Sequence, residues 1–212
     1  YIVMMKNGEI KRQGTPFETL TASGIKEIFD TDVYVSVSPV SNKPYIYALA
    51  RPDVEKKGIQ VHIICGGGSG SEIIGRLYSE GFDLSSGVLA IGDLDWKVSK
   101  ENNVQIAEEI PFAGISDEAY AKNKELAEGA DVIVLTGLYF GKSNKRNLEL
   151  LLEKSLEQKP LFILDNESFA ERDYTGGSAL QLYDSIKGRD NSMLIESKRL
   201  SEEILKVVGA HE

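Results

Sequence analysis

The chain contains a single cysteine, Cys65, and only two histidines, His62 and His211. One cysteine excludes an internal disulfide and suits a reducing compartment. So few thiol and imidazole groups also exclude a zinc site built from Cys and His. Basic residues are outnumbered, 24 Lys and Arg against 33 Asp and Glu, for a formal net charge of -9. Nucleic acid and anionic membrane surfaces both favour a basic face, so neither is an expected partner. No apolar run approaches the ~20 residues that cross a bilayer. There is no charged n-region or cleavage site ahead of Tyr1. A chain opening on tyrosine inside an apolar run is expected to start at an internal boundary of a longer protein. Against these absences stand 42% hydrophobic residues over 212 positions. That is enough for a real core in one ample domain, or in one domain plus a small appendage.

The first fifty residues predict small elements. Tyr1 to Met5 is an apolar strand, and Asn7-Gly8 is the dipeptide a tight hairpin turn prefers, because both residues tolerate positive φ. Glu9 to Gln13 returns as the second strand. Thr15-Pro16 supplies an N-cap and a first-turn proline for a short helix to Leu20, and Thr21 or Ser23 caps another at Ile25 to Phe29. Val33 to Val37 and Tyr45 to Leu49 are strand-like, joined by a turn containing Pro39, Asn42 and Pro44. Arg51 to Gly58 is charged, bracketed by proline and glycine, and predicts a linker.

From Val61 the rhythm becomes strand, loop, helix. Strands are predicted at Val61 to Cys65, Val88 to Ile91, Val104 to Ile110, Asp131 to Leu135, Leu161 to Leu164 and Met193 to Ile195. Helices are predicted at Ser71 to Glu80, Ser116 to Glu128, Asn144 to Gln158, Ser178 to Lys187 and Leu200 to Val208. Continuous apolar strands alternating with amphipathic helices specify an α/β fold, a Rossmann-like parallel sheet with helices on both faces. The expected division is 1–52 as a small β-rich unit, 53–58 as linker and 59–212 as the Rossmann-like domain.

The opening segment Ile2-Val3-Met4-Met5-Lys6-Asn7-Gly8-Glu9-Ile10, followed by Gln13-Gly14-Thr15-Pro16-Phe17-Glu18-Thr19-Leu20, resembles the C-terminal portion of ABC transporter ATP-binding subunits. The continuation Ile25 to Phe29, Val33 to Val35 and Tyr45 to Leu49 is similar to the subgroup serving cobalamin, haem and iron–siderophore importers. Beyond it, Gly66-Gly67-Gly68 after a strand, and Ile110-Pro111-Phe112-Ala113-Gly114, resemble a C-terminal extension of some archaeal members. The resemblance implies that residues 1–52 are the remnant of an ABC ATPase domain. It also implies a membrane-embedded transporter subunit as partner and a cytoplasmic location peripheral to the inner face of the cell membrane. ATP and magnesium would bind only upstream, because this stretch has no phosphate-binding loop of normal length, signature sequence or switch histidine.

Among candidate sites, Gly66-Gly67-Gly68-Ser69-Gly70-Ser71 is the strongest. A strand, a glycine loop and a helix start together aim backbone N–H groups and the positive helix end at an anion. Ser71 stands where the dinucleotide fingerprint wants Gly or Ala. Asp93 and Asp95 follow the second strand, where a carboxylate could meet ribose hydroxyls or simply cap the next helix. Gly137-Leu138-Tyr139-Phe140-Gly141-Lys142-Ser143 imitates a phosphate-binding loop with three intervening residues instead of four. It is expected to line a crevice together with Gly114. Glu167, Glu171, Asp173 and Asp117 supply carboxylates that nothing pairs, and Asp165 merely ends an apolar strand. Cys65 and His62 differ by three positions, hence point to opposite strand faces and make no catalytic pair. Trp96, Tyr139 and Phe140 suit either stacking on a planar ligand or packing.

No catalytic or metal-ligating residue is assigned. The cofactor stays unidentified, a nucleotide or another anionic metabolite being the candidates. Three readings of the α/β domain remain open. The first is an accessory or regulatory ligand-binding domain of an importer ATPase, and the second a fused nucleotide- or tetrapyrrole-modifying enzyme. The third is a homodimerisation platform.

Overall fold

A computed structural model describes residues 1–38, 41–48, 54–164 and 168–209. The expected turn residue Pro39, strand end Leu49, linker residues 51–53, loop Asp165-Asn166-Glu167 and His211 lie outside them. The chain divides into two compact units, Tyr1–Val54 and Glu55–Glu212.

In the first unit, strands β1 (Ile2–Lys6) and β2 (Glu9–Gly14) pair antiparallel. Their turn has Asn7 at φ 55° and Gly8 at φ 81°, the left-handed values that Asn-Gly accommodates. Helix α1 (Pro16–Thr19) follows, with Glu18 Oε2 accepting from Thr15 N and Thr15 Oγ1 at 2.8 Å. In α2 (Ala22–Phe29), Thr21 Oγ1 accepts from Gly24 N and caps the helix. Strands β3 (Val33–Val37) and β4 (Pro44–Ala48) form a second antiparallel pair. Met4, Ile25, Ile28 and Val33 make up this unit's buried apolar cluster among the described residues.

The second unit contains β5 (Gln60–Ile64), α3 (Ser71–Ser79), β6 (Asp83–Ala90), α4 (Leu94–Glu101), β7 (Gln105–Glu109) and α5 (Asp117–Gly129). It continues with β8 (Val132–Leu135), α6 (Arg146–Leu151), β9 (Leu161–Ile163), α7 (Phe169–Arg172), α8 (Ser178–Lys187), β10 (Ser192–Leu194) and α9 (Leu200–Gly209). The six strands form one parallel sheet in the order β10-β9-β8-β5-β6-β7. Numbered within the domain, that is the mirror listing of 3-2-1-4-5-6, the Rossmann order, whose direction reverses between β5 and β8. Val132 and Val134 join Ile73, Ile74, Leu77, Leu200 and Ile204 on one face. Ile133 and Leu135 join Leu148, Leu151, Ala179 and Ile186 on the other. The alternation is the two-residue period of a strand buried on both sides.

Two expectations are corrected. The long helix over Asn144 to Gln158 is a six-residue α6 followed by a 3-10 turn at Lys154–Leu156. Glu153 is extended (φ -59°, ψ 140°), and Arg189 donates to the α6 end carbonyls of Leu151 and Leu152 at 2.8 and 3.0 Å. Those carbonyls therefore need no further helical turn. The second strand begins at Asp83, five residues before Val88, and its polar start is buried. Ser85 Oγ lies 2.9 Å from His62 Nδ1, and Ser86 Oγ donates to Ile63 O. Partnered hydroxyls of this kind can be buried at little cost. At the Ser86/Val88 register shift sits Gly87, where a Cβ would come within 3.0 Å of Ile64 Cδ1 and 3.2 Å of Asn123 Oδ1. Helix α7 had no counterpart in the sequence reading.

Candidate functional site at the switch point

The C-terminal end of β5 runs directly into the glycine loop, which leads to α3. Gly67 and Gly68 have φ of 64° and 88°, conformations that a side chain would strain. Asp93 ties the loop down from the neighbouring strand: its Oδ2 accepts from Gly67 N at 2.8 Å, while Oδ1 accepts from Asp95 N at 2.8 Å and caps α4. Asp95 is fully buried. It accepts from Gly70 N at 3.1 and 3.2 Å and from Ser71 Oγ at 2.5 Å. The N–H of Gly70, the residue that caps α3, therefore already faces a carboxylate, the charge that a helix start favours. Gly70 has to be glycine here, since a Cβ would stand 2.6 Å from Cys65 Cβ.

Two clefts open at this edge of the sheet. The larger, of about 560 Å³, is lined by Gly66, Gly67 and Asp93, by Val88 to Ile91 at the end of β6, by Glu109 to Ala113 at the end of β7 and beyond it, by Ile115, and by Tyr139, Ser143, Asn144 and Asn147. The smaller, of about 460 Å³, is lined by Gly66 to Ser69, Glu72, Gly137, Tyr139, Leu164, Arg172 and Ser197. Gly66, Gly67 and Tyr139 belong to both and form the wall between them. Of the residues singled out from sequence, the structure gathers Gly66, Gly67, Gly68, Ser69, Asp93 and Gly137 around these clefts. Gly70, Ser71 and Asp95 bond to one another and line neither, and Gly114 sits between the lining residues Ala113 and Ile115.

The Gly137 to Ser143 loop does not shape itself around a phosphate. Asn144 Oδ1 accepts from Gly141 N and its Nδ2 donates to Tyr139 O, both at 2.8 Å, so the loop closes on itself. Phe140 is fully buried and Tyr139 exposed. Thr136 Oγ1 lies 2.7 Å from Ser69 Oγ, linking the two loops.

Several acidic side chains are already engaged. Glu109 accepts from Ile110 N and Ser116 N, both at 2.9 Å, and its hydrogen bonds with Ser116 hold its carboxyl below the usual range. Asp173 caps the approach to α8 through Thr175 and Leu180, and its hydrogen bond with the Thr175 hydroxyl lowers its pKa. Asp117 pairs with Arg146 on the surface. Trp96 donates to Glu108 at 2.7 Å and lines neither cleft. Cys65 Sγ lies 3.3 Å from Ser86 Oγ, and burial, reinforced by the charge of Asp95, pushes its thiol pKa well up. It therefore stays protonated and is no nucleophile. Among the described residues no group of three His, Cys, Asp or Glu side chains could hold a metal ion.

Sequence reasoning missed a buried polar chain running from β5 to the cleft. Ser85, His62, Asn123 and Asn147 are all buried and connected in that order by contacts of 2.9, 2.9 and 3.1 Å. Burial drives the His62 pKa down to about 4, so the ring is neutral at pH 7. His62 and Cys65 engage Ser85 and Ser86, neighbours on β6 that face opposite ways, as a strand requires. Only the polarity of Asn123 on α5 and Asn147 on α6 hinted at this chain in the sequence.

Helices long and apolar enough to cross a membrane are absent from the described residues. No solved structure matches the chain. It is similar to two cobalamin import ATP-binding proteins, each named BtuD, from two strains of Halobacterium salinarum. Identity is 27% over 136 residues, covering 63% of this chain and 34% of each relative. The chain thus spans about a third of the length of the curated relatives it matches, and its tie to ABC ATPases is a distant one. The matched family lies wholly inside the parallel-sheet unit: over residues 84–200, more than half of its length, the chain matches the MJ0874 family and belongs to it.

Proposed function

We propose that this chain is the C-terminal part of an ABC importer ATPase subunit, of the cobalamin or iron–siderophore type. In this reading its parallel-sheet unit is an accessory domain that holds a small molecule at the switch point. The observation that carries the ligand-binding reading is the pair of clefts sharing Gly66, Gly67 and Tyr139 as a wall, at the carboxyl edge where open α/β sheets take their ligands. The similarity to the two cobalamin import proteins supports the transporter reading. So does the first unit, two short hairpins that bury few apolar residues and leave Val3, Met5, Ile10, Tyr34 and Tyr47 exposed. Two-stranded sheets are marginal alone, and a larger ATPase domain would cover these faces. Partnership with a membrane subunit, and a place at the inner face of the membrane, follow from this reading.

The test is a thermal-shift screen of the 212-residue chain against nucleotides, NAD(P), S-adenosylmethionine, corrinoids, tetrapyrroles and small neutral heterocycles. A ligand at 100 times its Kd stabilises by about 2.7 kcal/mol. For a chain of this size that raises Tm by roughly 5–10 °C. Gly67→Val, which places a branched side chain in the shared wall, should abolish the shift. A flat response across all classes defeats the ligand-binding reading.

A further inference from the structure

The polar chain beneath the larger cleft determines what that cleft can recognise. Asn123 Nδ2 donates to Asn147 Oδ1, so Asn123 Oδ1 is left to accept from His62 Nε2, 2.9 Å away. A neutral imidazole that donates from Nε2 must accept at Nδ1, where the Ser85 hydroxyl donates. Every member therefore has a fixed direction, and the chain ends with Asn147 Oδ1 occupied. Asn147 lines the cleft at 1% exposure, and its Nδ2 finds no acceptor among the described residues. That amide nitrogen opens on the cleft with its hydrogens unused, so an acceptor seated there would complete the chain.

The rest of the cleft limits the ligand further. Val88, Leu89, Ile110, Pro111 and Ile115 give it apolar walls. Phe112 stands fully exposed on the rim at φ 67°, a left-handed conformation uncommon for a bulky residue. Strain of that kind persists at sites that use it, and a ring with no packing partner gains by closing over an apolar ligand. Among the described residues, the charged members of the lining are Asp93 and Glu109, with no Lys or Arg beside them. A phosphate or carboxylate brought here would meet like charge without a counterion. Asp95 already places a negative charge at the start of α3, the other anion attractor, through Gly70 N and the Ser71 hydroxyl.

We propose that the larger cleft selects an uncharged, flat, mostly apolar molecule bearing a carbonyl-type acceptor, seated with that acceptor on Asn147 Nδ2 and its body under Phe112. The proposal rests on the small-molecule reading above and narrows it to one cleft and one ligand class. It sets aside the anionic metabolite that the glycine loop suggested.

Matched pairs differing only in charge test it: indole-3-acetamide against indole-3-acetate, and nicotinamide against nicotinate. These are titrated calorimetrically into the 212-residue chain, with 1H–15N spectra of the side-chain amides. Each amide should bind at least ten-fold more tightly than its acid and shift the Asn147 amide pair, identified by its loss in Asn147→Leu. Because Asn147→Leu also unpairs Asn123, Phe112→Ala on the exposed rim serves as a second variant. It should weaken both members of a pair several-fold without changing their ratio. Acids binding as tightly as amides, or binding that leaves the Asn147 signals unmoved, overturns this inference while leaving the small-molecule reading intact. Shifts only with nucleotides do the same. Silence from every neutral and anionic compound strikes both.

Discussion

The two units differ most in what they bury. The parallel-sheet unit has two large apolar clusters, one on each face of a sheet whose inner strands are covered on both sides. Among its described residues, the Tyr1–Val54 unit has one small cluster around Ile25 and Ile28, and much of its hairpin surface is apolar and exposed. Burial drives folding roughly in proportion to the apolar area removed from water. The contrast teaches that the first unit is held mainly by local devices, turns and helix caps, whereas the second is held by long-range packing.

Four experiments bear on that contrast. Leu77, fully buried in α3, should cost about 3–5 kcal/mol when replaced by alanine, read as a lower urea midpoint. A loss below about 1 kcal/mol would mean the sheet unit is not packed as described. Next in size is acidification. The pKa of His62 is about 4 in the fold against 6.5 for the free side chain, so the unfolded chain binds the proton first. Stability should fall as the pH drops from about 6.5 towards 4, by roughly 3 kcal/mol in total, with no contribution above 6.5. A His62→Gln variant should lack this component of the pH profile, and identical profiles would place the imidazole in water.

A glycine pair sharpens the picture at the start of α3 and inside it. Gly70→Ala should destabilise by about 1–3 kcal/mol, because the new methyl meets Cys65 at 2.6 Å. Gly75→Ala, inside α3 with nothing within 4 Å, should stabilise by roughly 0.5–1 kcal/mol. Equal effects would show that the loop does not approach Cys65 so closely. The smallest effect belongs to the first unit. Thr21→Ala removes the cap on Gly24 N and should cost about 1 kcal/mol. That loss should appear in the unfolding of the first unit and leave the sheet unit's midpoint where it was.

Local chemistry made much of the fold legible. Asn7-Gly8, Thr15-Pro16 and Ser116 announced a turn and two helix starts, because their signals act over three or four residues. The run Val61 to Ile64, apolar but for His62, and the continuous apolar run Val132 to Leu135 announced central parallel strands. The start of β6 was hidden because Ser85 and Ser86 read as surface until their partners on β5 are known. The end of α6 was hidden because Arg189, which takes its last carbonyls, lies 37 and 38 residues further on. At the site, the glycine loop and Asp93 were visible as a strand-to-helix turn beside an acid. That Asp95 would fill the anion position depended on how deeply α4 packs beside α3, and no spacing encodes that.

By itself, then, the sequence determined the alternation of strands and helices, the acidic balance, the absence of disulfides and the position of the glycine turn. Each follows from residue type, short-range periodicity or simple counting. Only the tertiary structure decided the strand order and the reversal between β5 and β8 that opens the clefts. It also decided the seating of Asp95 on the start of α3 and the polar chain from Ser85 to Asn147. Those features join groups from 23 to 61 residues apart. Contacts at such separations exist only after the chain has closed its loops and packed both faces of the sheet.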